Sequence, residues 1–308
     1  MEKKCAPDKK YIDNSCFTYE SLIKIANNYN KKNNNKININ LNKIELVNEL
    51  EDRLSDKCSD QICWLRLDLI KELNNEEIDN YTFRPEGPSE QFEWLNTKHI
   101  NDVIDQYHNM YSDFLYLGAV PSDFEELPVL GLNDINFKEL ESNNKNRIGI
   151  VINLDEHYKG GSHWVALFFD LKNYQIYYYD SVGKSPKKRI RRFINKILQY
   201  LYFKKFNIKL NINHLLKILK KYKNNDDDNE NKNNIHIQNL LSNEIDIRYN
   251  NVQHQFKNSE CGVYSIYFII RILNGESIDS IINNPINDDN INKFREEFFY
   301  NVDFNKIL

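Results

Sequence analysis

The stretch that most constrains the fold is Cys261–Leu273, where no charge interrupts apolar and aromatic residues until Arg271. A helix this apolar has no solvent face and must be enclosed by other layers. Cys261 stands at its entrance, Gly262–Leu273 form its body, and Asn274-Gly275 supply a stop signal. Something has to cover it, and the candidates lie upstream. Ile148–Leu154 reads as a buried strand, and His163–Asp170 and Tyr174–Asp180, rich in aromatic and β-branched residues, read as a β-hairpin. Ile245–Val252 reads as a further strand that ends just before Gln255. These elements predict an α+β fold in which helices flank a mixed central sheet.

Composition narrows the rest. The 41 basic and 45 acidic residues are interspersed and leave a net charge of −4, so no nucleic-acid footprint dominates and a protein partner is expected. No apolar run reaches the length of a membrane span, and Met1–Lys10 lack the apolar core of a secretory signal, so the chain reads as soluble and intracellular. Five cysteines spread along the chain argue against a disulfide framework and for a reducing compartment. The spacings of Cys5 and Cys16 and of Cys58 and Cys63 match no common zinc knuckle, so buried or unpaired thiols are expected there and no metal site. The polar tracts Lys31–Lys36 and Asn224–Asn234 bury too little apolar surface to order themselves, and a loop or disordered insertion is expected near 221–236.

Residues 1–85 read as short helices joined by polar loops: Leu22, Ile25, Ala26 and Tyr29 share a face after Thr18, as do Ile44, Val47 and Leu54. The turn-rich Arg84–Ser89 segment marks the predicted boundary of this helical N-terminal domain, with residues 86–308 as a second domain. Trp94-Leu95-Asn96-Thr97 opens a helix, capped by Asn96 or Thr97, with Ile100, Val103, Ile104 and Tyr107 on one face. Ser185-Pro186 predicts the start of a basic helix around Arg189–Tyr202, whose charges read as a solvated face.

One register organises the chemistry. If Asp170 pairs with Asn173 at the hairpin turn, His163 faces Asp180 with Cβ atoms about 4.5–5.5 Å apart, close enough for an imidazole to bond a carboxylate. Cys261, at a helix N-terminus, has the setting that lowers a thiol pKa when a histidine also pairs with it. Gln255, before a loop that leads to Cys261, can donate its amide to an oxyanion together with the Cys261 backbone N–H; Gln253 is the competing donor. Cysteine, histidine, carboxylate and amide together are the minimum set for acyl transfer through a thiolate.

His163-Trp164, Tyr178-Tyr179-Asp180-Ser181, Gln255 and Ser259-Glu260-Cys261-Gly262, in this order, resemble the ubiquitin-like-protein-specific (SUMO) cysteine protease family, whose clan includes the adenovirus maturation protease. The resemblance covers roughly residues 90 to 275. It implies a catalytic triad of His163, Asp180 and Cys261, with Gln255 at the oxyanion and no cofactor. It also implies that Trp94 and Trp164 bind substrate, as walls of a tunnel that admits only glycine. Thr97 and Glu260 depart from the family pattern, where Asp is usual.

The expected function is a cysteine endopeptidase cutting after Gly-Gly or Gly-X sites in viral structural precursors during virion maturation. Its expected location is the host cytoplasm or viral factory, with packaging in the virion. The N-terminal domain would dock substrate or regulate. The alternatives are an isopeptidase that removes SUMO or another ubiquitin-like modifier, a catalytically silent virion component, and an acetyltransferase on the same fold.

Overall fold

The computed structural model describes residues 13–58, 61, 63–67, 70, 84–90, 92–212 and 244–299. The tract at 224–234, the expected insertion near 221–236 and Cys5 lie outside them. The chain forms two compact units, Met1–Tyr111 with Ile286–Leu308, and Ser112–Pro285.

In the first unit, α1 (Tyr19–Lys32) begins where Thr18 accepts the Ser21 N–H. The helix α2 (Lys43–Leu54) begins at a reciprocal capping box between Asn42 and Glu45. Leu22, Ile25 and Ala26 of α1 share a core with Leu46, Val47, Leu50 and Leu54 of α2. Ile44 does not join it: at the first turn of α2 it is 45% exposed, so the predicted face starts one turn later. Cys58 and Cys63 are joined by a disulfide, and Cys16 is disulfide-bonded as well, which corrects the expectation of free thiols. The spacing allowed this closure, because a short loop brings the two Cα atoms to 5.5 Å, within normal disulfide range. Asn96 caps α3 (Thr97–Ile104), whose Ile100, Val103 and Ile104 are buried, and α4 (Tyr107–Met110) follows.

The second unit is built on a five-stranded sheet ordered β1 (Phe114–Val120), β2 (Arg147–Asn153), β3 (Trp164–Asp170), β4 (Gln175–Tyr179) and β5 (Asp246–Tyr249). The outer pairs are parallel and the two inner pairs antiparallel. All of β3 and nearly all of β2 are buried, as continuous apolar strands covered on both faces should be. After α5 (Phe137–Ser142) comes the long α6 (Lys188–Phe206), which packs Ile190, Phe193, Ile197 and Leu201 against Ile150, Val165, Leu167 and Ile176. It starts later than Ser185-Pro186 predicted, because Lys187 remains extended. Its charges behave as a solvated face: Arg189 pairs with Glu126 and Glu156, Arg192 pairs with Glu125, and Lys187, Lys188 and Arg191 point to solvent.

The helix α7 (Cys261–Leu273), enclosed on all sides, packs on β3 and β2. Tyr179 of β4 stacks on its Phe268, ring centroids 4.8 Å apart. Gly149 of β2 permits the approach, since a Cβ there would meet Ile269 and Phe114 at 3.2–3.3 Å. Each large side chain buried in this layer contributes about 1.5–3 kcal/mol. Beyond α8 (Ile278–Asn283), the chain rejoins the first unit as α9 (Asp288–Lys293) and α10 (Arg295–Phe298). Arg84 there donates to the carbonyls of Glu296 and Phe299, and buried Arg295 donates to that of Glu93. No helix among the described residues is long and apolar enough to cross a membrane.

Candidate active site

His163 and Asp180 flank the central hairpin, just before β3 and just after β4. The register differs from the predicted one: Asp170 pairs with Gln175 and Ala166 with Tyr179, so the strands are offset by two residues. The turn is longer than assumed because Asp170 accepts the N–H groups of both Lys172 and Asn173, and Tyr174 then takes a left-handed conformation (φ 57°). An offset of two preserves the side-chain parity of a strand, so the two residues still meet on one face. His163 Nε2 lies 2.7 Å from Asp180 Oδ1.

Asp180 occupies Nε2, which leaves Nδ1 as the ring atom for Cys261, to which His163 is also hydrogen-bonded. Burial disfavours the charged imidazole, but the hydrogen bonds to Asp180 and Cys261 and the charges of both outweigh it, and the His163 pKa is raised to about 9. Cys261 heads α7 and is 3% exposed; among the described residues it is the free cysteine. The first-turn N–H groups of a helix have no acceptor within it, and Cys261 stands at that end of α7. The unusual Glu260 is buried and folds back on its neighbour, accepting from the Ser259 N–H at 2.8 Å and the Ser259 hydroxyl at 2.9 Å.

The two glutamines separate clearly. Gln253 is exposed and donates to the Gln255 carbonyl. Gln255 is buried, its Oε1 2.6 Å from the Ser181 hydroxyl and its Nε2 2.8 Å from the Lys257 carbonyl. Trp164 is buried at the start of β3, whereas Trp94 belongs to the first unit and is 44% exposed.

Sequence reasoning missed Asn250. This fully buried side chain brackets the Asp180 peptide: its Oδ1 accepts the Asp180 N–H at 2.8 Å, and its Nδ2 donates to the Asp180 carbonyl at 2.7 Å. The Val182 N–H adds a bond to Asp180 Oδ1 at 3.0 Å. The loop that follows passes so close to Val252 that a Cβ on Gly183 (φ 71°) would lie 2.9 Å from its carbonyl carbon. Asn250→Ala strips two buried backbone groups of their partners and is expected to cost about 2–4 kcal/mol. Urea unfolding should show a lower midpoint at unchanged slope, and an unmoved midpoint would contradict the clamp. Nothing in an asparagine-rich chain distinguishes this asparagine except its place at the end of β5.

Comparison with known proteins agrees with this geometry. The model of the Ulp1 protease family, C-terminal catalytic domain, matches residues 135–306, more than half of the chain and all of the residues just described around Cys261. The chain belongs to the Ulp1 protease family. It is therefore a cysteine protease. A protein of Acanthamoeba polyphaga mimivirus that bears the name of a thiol protease is 34% identical to it over 96% of this chain and 93% of that protein. A cysteine protease of African swine fever virus is 26% identical over 76% of this chain and 75% of its own length. The crystal structure of the African swine fever virus protease shares the fold, with a TM-score of 0.53 at 22% identity over 87% of this chain and 93% of that one.

Proposed function

We propose that this Ulp1-family protease cleaves after glycine in viral structural precursors. The observation that carries the proposal is the couple of His163 and Asp180 bonded to a thiol at the head of α7, in a chain whose nearly full-length relative is viral. In the proposed cycle His163 takes the Cys261 proton through Nδ1, and Asp180 fixes the ring and stabilises its charged form. The sulfur attacks the substrate carbonyl carbon, and the oxyanion is held by Gln255 Nε2 and the Cys261 N–H. The imidazolium then protonates the leaving amine, and water activated by His163 hydrolyses the thioester, which frees the acid and the thiol.

Trp94 and Trp164 are assigned to glycine selection by their motifs, since aromatic walls reject any Cβ. The helical N-terminal region would dock substrate or regulate the enzyme. A second reading has one observation behind it: African swine fever virus relatives, 25% identical over 76% of this chain, bear the name SUMO-1 cysteine protease. One experiment separates the two. The purified enzyme is given a short Gly-Gly-X peptide and a folded SUMO precursor, and the products are read by mass spectrometry. We expect the peptide to be cut immediately after the second glycine and a peptide with alanine there to be spared. Preference for the folded precursor would transfer the assignment to modifier removal.

A further inference from the structure

Asp180 is followed by a residue to which the triad gives no task. Ser181 is 1% exposed, and its hydroxyl bonds to Gln255. Its carbonyl accepts the N–H groups of His254 and Gln255, both at 2.8 Å, so the Gln255 backbone is already tethered without the hydroxyl. The hydroxyl adds something separate. A peptide carbonyl can only accept, so the end of the Gln255 amide that meets the Lys257 carbonyl at 2.8 Å is its NH2. The opposite end, Oε1, lies 2.6 Å from Ser181 Oγ, which therefore donates to it. Held at both ends, the amide has one N–H bound to Lys257 and one left over.

We propose that Ser181 is a positioning residue for the oxyanion donor: its hydroxyl locks the Gln255 amide so that the remaining Nε2–H aims at the developing charge. The proposal rests on the reading of Gln255 as that donor. The dipeptide leaving β4 then orients both catalytic components, the imidazole through the Asp180 carboxylate and the amide through the Ser181 hydroxyl. Without the hydroxyl, Oε1 is buried with no donor, and the amide turns to find one. The donor is misaimed while the triad is untouched.

The test is steady-state cleavage of a Gly-Gly-X peptide by the full chain carrying Ser181→Ala, Ser181→Thr, Gln255→Ala or Ser181→Ala with Gln255→Ala. Complete loss of an oxyanion donor costs about 10²–10³ in kcat, and misaiming it should cost part of that, about tenfold. We expect Ser181→Ala to lower kcat with KM and the alkaline limb of the pH profile unchanged. Ser181→Thr should restore the rate, and Ser181→Ala should add nothing in the Gln255→Ala background. If Gln255→Ala slows the enzyme while Ser181→Ala does not, the positioning role is overturned and the oxyanion reading survives. If Gln255→Ala itself leaves kcat unchanged, both fall. A Ser181→Ala loss that persists undiminished in the Gln255→Ala background would mean general structural damage and would also overturn the role.

Discussion

Cys261→Ala is expected to abolish peptide cleavage, with turnover down on the order of 10⁵–10⁶-fold, the scale seen when a covalent nucleophile is removed from a triad enzyme. The loss is this large because the carbonyl carbon is attacked by sulfur alone. Without it, His163 and Gln255 are left to assist direct attack by water, a weaker nucleophile than a thiolate. The substitution removes one sulfur atom from a buried site and keeps the helix, so unfolding should change by no more than about 1–2 kcal/mol. Single-turnover assays followed by mass spectrometry separate inactivity from misfolding. Residual cleavage above a hundredth of the normal rate in a folded variant would mean that another group carries the attack.

Asp180→Asn is expected to lower kcat by about 10⁴-fold, as loss of the carboxylate does in related triads, and to change the pH dependence in a specific direction. Burial alone would push the His163 pKa down, and the bonds and charges of Asp180 and Cys261 raise it to about 9 instead. A histidine raised in this way is stabilised in its charged form. Its contribution to folding is complete below its unfolded value of about 6.5 and is lost as pH rises through about 9. The charged ring is also the proton donor to the leaving amine, so the alkaline limb of the rate profile should fall near pH 9 in the normal enzyme. Without the Asp180 charge, that limb should move toward neutral pH. A limb that stays in place in Asp180→Asn would detach it from His163.

The parts of the fold that were legible were those written in local patterns. The all-apolar Cys261–Leu273 helix, the strands at Ile148–Leu154 and across the hairpin, and the cap at Asn96 all follow from periodicity and capping chemistry. The meeting of His163 with Asp180 survived an incorrect turn because a strand error of two residues keeps parity, whereas an error of one would have separated them. Illegible features depend on which residues meet across long separations. Asn250 acts through Asp180, 70 residues away in sequence, and Ser181 acts through Gln255, 74 residues away. The cysteines were illegible for another reason: their number and spread are properties of the whole chain, while the bond between Cys58 and Cys63 is closed by a single short loop.

The order of the strands in the sheet is the order in which they occur in the chain, β1 to β5, and α7 comes after all of them. During synthesis the ribosome therefore delivers His163 and Asp180 first and the sulfur last. A nascent chain can complete its hairpin and still have nothing to attack with. Only when Cys261–Leu273 has left the exit tunnel and packed onto β3 does the nucleophile arrive beside its base. The nucleophile is thus the last of the three catalytic side chains to be made, after the sheet that supports it.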